Sequence, residues 1–194
     1  MAVPPAIAAL NGRWQGTNRL WLYDPVEPAS ISAATAVLSL TAQGKVATLE
    51  YTWAYEGEPQ QGFLMFSQIE ETAVAAWADS WHYQDGIMQM NGAVEVSGEL
   101  WVKGSYPAPP GPDWGWRIAI HPATDQFRLV MHNITPDGEE MRAVEVVITR
   151  ASSNLLRLID DAQNMKSSHV LRILLLQAIS LLLPPFVTFV TQYP

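Results

Sequence analysis

Glu50-Tyr51-Thr52-Trp53-Ala54-Tyr55-Glu56-Gly57 alternates polar residues with large aromatic or small ones and then stops at a glycine. Successive side chains of an extended strand point to opposite faces, so Tyr51, Trp53 and Tyr55 share one face and Glu50, Thr52 and Glu56 share the other. Such a segment separates a core from water, with its aromatics inward. The same pattern recurs on both sides of it. From Leu10 to Arg150 the chain reads as strands over 11–23, 31–41, 45–56, 60–69, 72–81, 86–96, 98–107, 114–121, 126–134 and 139–150. Asp24-Pro25, Gln43-Gly44, Asp85-Gly86, Ser97-Gly98 and Pro136-Asp137-Gly138 punctuate these runs with turn-forming residues.

About ten short, evenly spaced strands with hairpin-length connections predict an all-β, antiparallel, up-and-down barrel. Closure is favoured because it removes exposed sheet edges. In the eighth strand Trp114, Trp116, Ile118 and Ile120 oppose Gly115, Arg117, Ala119 and His121, and in the tenth Val144, Val146 and Ile148 oppose Ala143, Glu145, Val147 and Thr149. The predicted organisation is a lead-in over 1–9, a barrel over 10–150 and a hydrophobic, helical extension over 151–194. A barrel of about 150 residues buries roughly 68–70% of its unfolded surface and needs no staples.

The composition narrows the chemistry. No cysteine is present, which excludes disulfides, thiolate metal sites and cysteine nucleophiles, and fits a reducing compartment. Eleven Lys and Arg against nineteen Asp and Glu give a net charge of −8, which opposes nucleic-acid binding. All eight tryptophans lie at or before Trp116. Rings of that size fill a core or line a cavity. The N-terminus has no basic residue and no long apolar stretch, so it does not read as a secretory signal, and the expected location is cytoplasmic.

After Arg150 the pattern changes. Leu155, Leu156, Leu158, Ile159 and Ala162 recur at helical spacing, and Ile173 to Val190 carries no charge over eighteen residues, broken by Pro184-Pro185. Eighteen residues reach only the lower edge of a membrane span. A helical appendage is therefore the preferred reading, with residues 171–190 a candidate membrane or homo-oligomer contact.

Leu10-Asn-Gly-Arg-Trp-Gln-Gly16, Tyr51-Thr-Trp-Ala-Tyr-Glu-Gly57, Asp79-Ser-Trp-His82, Gly111-Pro-Asp-Trp-Gly-Trp-Arg117 and Asn133-Ile-Thr-Pro-Asp-Gly138, with Ala143-Val-Glu145, together resemble a bacterial family of lipocalin-like (calycin-type) barrels, domain of unknown function 1579. The resemblance implies a barrel with a central cavity and no established activity. It departs from fatty-acid-binding barrels, whose two-helix lid has no room in the seven residues from Asp24 to Ser30. Nitrobindin-type haem barrels share the strand count and the missing lid, but not their local motifs.

The densest chemistry lies in Trp77-Ala78-Asp79-Ser80-Trp81-His82. Read as one strand, it puts Trp77, Asp79 and Trp81 on the inward face and His82 at the rim. Arg117 is then the natural counter-charge for Asp79, with Glu145 a second partner. The candidate ligand-binding set is Trp53, Trp77, Asp79, Trp81, His82, Trp116, Arg117 and Glu145. An internal ion pair with no ligand role explains the same residues. Asp79, Ser80 and His82 do not form a catalytic triad, because neighbours on a strand diverge, and no catalytic or metal-ligating set is predicted. The expected function is non-enzymatic binding of a small apolar ligand inside the barrel, without a cofactor. The alternatives are a haem or nitric-oxide barrel using His82 or His132, and a filled barrel whose tail meets a membrane or partner.

Overall fold

The computed structural model describes residues 2–22 and 24–151, the side chains of 84 and 85 excepted. A short helix α1 (Pro5–Ala8) precedes ten strands: β1 (Gly12–Leu20), β2 (Ser30–Thr41), β3 (Val46–Tyr55), β4 (Glu58–Ile69), β5 (Thr72–Asp79), β6 (Tyr83–Val94), β7 (Leu100–Tyr106), β8 (Trp114–Pro122), β9 (Gln126–Ile134) and β10 (Glu140–Arg150). Each strand pairs antiparallel with its neighbours in sequence, and β1 closes the barrel against β10. The all-β, ten-stranded antiparallel barrel expected from the alternation is the fold observed. The helical extension expected over 151–194, with its candidate contact at 171–190, lies outside the described residues apart from Ala151. No described helix is long and apolar enough to cross a membrane.

Alternation decides what faces the lumen. Trp14 and Leu20 from β1, Leu38 from β2, Leu49, Tyr51 and Trp53 from β3, Leu64 and Phe66 from β4, and Trp77 from β5 are buried. Met88 and Met90, Leu100 and Val102, Trp116, Ile118 and Ile120, Leu129 and Met131, and Val144, Val146 and Ile148 complete the lining from β6 to β10. The seam between β1 and β10 depends on Gly16, where a Cβ would sit 2.1 Å from the Val147 carbonyl oxygen. Only glycine allows the two backbones that approach.

The two ends of the barrel differ. At one end the N-terminal segment forms a plug: Val3, Ile7 and Leu10 are buried, and the Val3 N–H donates to the Gly44 carbonyl at 3.0 Å. The Trp14 indole N–H donates to the Leu10 carbonyl at 2.8 Å, and its ring meets Phe127 edge-on at 5.0 Å. Arg150 holds the plug from outside, donating to the carbonyls of Ala9 and Asn11 at 3.0 and 3.1 Å with its guanidinium 4.4 Å from the Trp14 ring centre. Arg150→Ala is expected to lower the unfolding free energy by about 1–2 kcal/mol, measured by urea denaturation. The opposite end gathers the last residues of β1, β3, β5, β7 and β9, and there the lining changes from aliphatic to aromatic and polar.

Candidate functional site

Strand β5 ends two residues earlier than the sequence pattern predicts, and the cause is Asp79. Its Oδ1 accepts the backbone N–H of Trp81 at 2.9 Å and that of His82 at 2.8 Å. An aspartate that captures the amides ahead of it turns the chain instead of extending it. Residues 80–82 therefore form the β5–β6 turn, and a register shift in the β5–β6 ladder falls at Trp77/Asp79. The turn folds His82 back so that its Nδ1 lies 3.0 Å from the same Oδ1. Strand alternation predicted His82 and Asp79 on different faces; the turn brings them together.

The other carboxylate oxygen of Asp79 accepts the Tyr51 hydroxyl at 2.8 Å, and that hydroxyl accepts the Trp77 indole N–H at 2.8 Å. The Asp79 side chain is fully shielded and that of His82 is 5% exposed. Burial alone would raise the Asp79 carboxyl. Hydrogen bonds from the His82 ring and from the two backbone N–H groups outweigh it, so the carboxyl titrates below its usual range. Burial and the adjoining carboxylate push the Tyr51 phenol well above its ordinary value, which keeps it a donor. An ionised Asp79 selects the His82 tautomer that carries its proton on Nδ1.

The Asp79 shift has a consequence for folding. A carboxyl held below its unfolded value, near pH ~3.9, contributes stability that is present above that pH and is lost as pH falls through the folded value. Below about pH 4 the unfolding free energy of the wild type should therefore fall more steeply than that of Asp79→Asn. Urea titrations over an acid series check this.

Around the imidazole stands a box of indoles. Ring centres of Trp81, Trp53, Trp116 and Trp77 lie 4.8, 5.0, 5.4 and 6.5 Å from that of His82. Trp77 stacks on Trp116 at 5.4 Å with 11° between planes. Beside this box is a cavity of about 210 Å³ whose walls include Trp21, Trp77, Trp81, His82, Tyr106 and Trp116, with Asn133 and Ala143. The Tyr106 hydroxyl donates to Asn133 Oδ1 at 2.6 Å. Three buried nitrogens of the box have no hydrogen-bond partner: His82 Nε2, Trp53 Nε1 and Trp116 Nε1. Buried polar groups are nearly always paired, so these three need partners from outside the described residues, water or a ligand.

Two predicted partners are elsewhere. Arg117 follows the inward Trp116 and so must point outward; it pairs with Glu99 at 3.2 Å and Glu140 at 3.3 Å and lies over Trp101. Glu145, between inward Val144 and Val146, pairs on the outer face with Arg19 and Arg128, both at 3.4 Å. Neither reaches Asp79, and the expected Asp79–Arg117 ion pair does not form. His132 opposes Arg117 and Arg142 across its ladders, outside the lumen, so it does not share the cavity with His82. Trp77, Trp81, His82 and Trp116 line the cavity, Trp53 backs the imidazole, and Asp79 lies behind it. The alternation pattern placed Tyr51 inward without identifying it as the partner of Asp79, and Trp21, Tyr106 and Asn133 carried no local signal.

A second, open groove of about 890 Å³ runs over β2 to β6 and reaches Tyr51, Gly62 and Asp79. Within it Thr35 pairs with Thr52 at 2.6 Å, Ser80 with Gln60 at 2.7 Å and the Tyr51 hydroxyl with Asp79 at 2.8 Å. Among the described residues, no three His, Asp or Glu side chains converge as metal ligands.

The fold and site define a closed ten-stranded barrel with a tryptophan-lined chamber at one end. The chain belongs to the DUF1579 family, described as a protein of unknown function, whose model matches residues 5–150. Among solved structures, Rv2717c from M. tuberculosis is similar at 15% identity and a TM-score of 0.52, over 76% of this chain and 98% of that one. At that identity the likeness extends to the fold alone. A putative thioesterase II from Thermobifida fusca YX aligns at 10% identity over 74% of this chain and 79% of that one, with a TM-score of 0.22, too low to carry an argument. Comparison with curated proteins finds no match.

Proposed function

We propose that this barrel binds a small, largely apolar ligand in the tryptophan-lined chamber, with His82 Nε2 as the polar anchor, and that binding involves no chemistry on the ligand. One observation carries the reading: an imidazole whose Nδ1 is committed to Asp79 keeps a buried Nε2 with no partner among the described residues, and its ring lines a cavity of about 210 Å³. Apolar walls with one or two fixed polar groups are the usual make-up of a small-molecule site. The register shifts at Trp77/Asp79 and Arg142/Val144 both fall at this end, and such irregularities cluster at barrel rims beside sites.

The volume sets the ligand's size. Pockets for drug-sized molecules and cofactors run at roughly 300–1,000 Å³, so this chamber suits a single ring or a short chain. A ligand at about 100 times its Kd stabilises a fold by about 2.7 kcal/mol. A panel of small apolar compounds should therefore raise the melting temperature and change tryptophan emission in the wild type, and do so less in His82→Phe. A panel that leaves both signals of the wild type unchanged at saturating concentration overturns the reading.

Haem is the second reading, and it draws on the same Nε2, since an axial ligand must be a free imidazole nitrogen. The chamber volume opposes it: a macrocycle would have to displace tryptophan rings. A Soret band on adding haem that disappears in His82→Ala would favour it over the first reading. A filled structural barrel is the third. Its support is the packed aliphatic lumen between chamber and plug, where Leu49, Leu64, Leu100, Ile118 and Leu129 are at most 1% exposed.

A further inference from the structure

The unpaired atoms of the chamber differ in kind, and the difference specifies a ligand class. With its ring proton on Nδ1 and directed at Asp79, the His82 imidazole carries its lone pair on Nε2. Trp116 Nε1 is an indole N–H, which can only donate. The two ring centres are 5.4 Å apart. One oxygen about 2.8–3.0 Å from each of two nitrogens bridges a nitrogen separation of up to roughly 5.5–6 Å. A group that satisfies both must donate one hydrogen bond and accept another through the same atom. A carbonyl only accepts and leaves the imidazole lone pair unmet; a pyrrole-type N–H only donates and leaves the indole unmet. A hydroxyl does both.

Charge removes the other common head group. Among the cavity-lining residues are Leu20, Leu22, Met88, Asn133 and Ala143 besides the rings, and none is Lys or Arg. Arg142 lies over the Trp21 ring at 5.3 Å without itself lining the cavity, and the Asp79 carboxylate is bonded to His82 at 3.0 Å. The low titration of Asp79 keeps that charge negative. A carboxylate ligand would enter beside a like charge and out of water, with no Lys or Arg among the described lining residues to pair it. The body of the ligand is bounded by volume: a cavity of about 150 Å³ holds benzene, and this one is about 210 Å³.

Resting on the chamber being a binding site, we propose that it recognises a small neutral alcohol or phenol with a ring-sized apolar body, whose hydroxyl donates to His82 Nε2 and accepts from Trp116 Nε1. The tryptophan faces take the body of the ligand, and the hydroxyl sets its orientation.

Phenol, toluene and benzoate test this, because phenol and toluene have almost the same shape and differ in the hydroxyl, while benzoate adds the charge. Calorimetric titration of the full-length protein, with tryptophan emission as a second readout, should give phenol binding about tenfold tighter than toluene, corresponding to one to two net hydrogen bonds, and no measurable benzoate binding. Trp116→Phe and His82→Phe should each bring the phenol-to-toluene ratio towards one. If either variant fails to fold, the wild-type ratio and the other variant still decide. Toluene binding as tightly as phenol, or benzoate binding best, overturns the hydroxyl assignment and leaves the chamber a binding site. A lack of response to phenol and toluene alike overturns both.

Discussion

Asp79→Ala is expected to destabilise the barrel by about 3–5 kcal/mol, the largest loss for any single side chain at the chamber. The carboxylate is the shared acceptor for the Tyr51 hydroxyl, the Trp81 and His82 amides and His82 Nδ1, all between 2.8 and 3.0 Å. Removing it leaves those donors buried with no substitute nearby. Domains of this size are stable by only about 5–15 kcal/mol, so the variant should melt roughly 10 °C lower. The β5–β6 turn should also loosen, because the two amide bonds that reverse the chain are gone. Asp79→Asn keeps the shape and one acceptor, and should lose about 1–3 kcal/mol. Urea denaturation and near-ultraviolet circular dichroism of the tryptophans measure the two effects. A loss below about 1 kcal/mol for Asp79→Ala would mean that water replaces the carboxylate at little cost, and that the turn is held by other contacts.

The second large effect comes from a residue with no side chain. Gly62 on β4 faces inward opposite Asp79, and a Cβ placed there would lie 2.0 Å from Tyr51 Cζ and 2.2 Å from its hydroxyl oxygen. The tyrosine ring lies across the glycine, and this directs its hydroxyl to Asp79. Gly62→Ala therefore drives the ring off its position, and should cost about 2–4 kcal/mol through overpacking and a broken buried bond. Truncating the ring relieves the clash. Tyr51→Leu combined with Gly62→Ala should thus be less destabilising than the sum of the single losses by about 1–2 kcal/mol. Strict additivity in a double-mutant cycle would show that Gly62 acts through the backbone alone.

The barrel was legible in the sequence because period-two alternation is a local property. Tyr51, Trp53 and Tyr55 announce an inward face, and glycine or proline ends most of the runs, so strand count, pairing and closure follow from short stretches read in order. The chamber was only half legible. Trp77, Asp79 and Trp116 lie inward as alternation predicts, but alternation assumes that the strand continues. Asp79 ends its own strand by bonding the amides of Trp81 and His82, and that decision lies in two hydrogen bonds with no periodic signature. Arg117 and Glu145 show the opposite fault. Charge made Arg117 an attractive partner for a buried carboxylate and Glu145 a second member of the network, yet each is flanked along its strand by inward residues, which sends it to the outer face. Satisfaction of Asp79 by a phenol, an imidazole and two amides needs no cation. Tyr106 of β7, Asn133 of β9 and Trp21, just past the end of β1, lie far apart in sequence and meet only when the barrel closes.

Nitrogen-15 NMR of the histidine rings tests the central claim most directly. In the free protein the His82 ring should carry a proton on Nδ1, directed at Asp79. On titration with phenol its Nε2 resonance should move and saturate, together with the indole resonance of Trp116, while His121 and His132 on the outer face stay put. A His82 Nε2 signal unmoved by phenol while His121 or His132 responds would contradict the account and place the binding site outside the chamber.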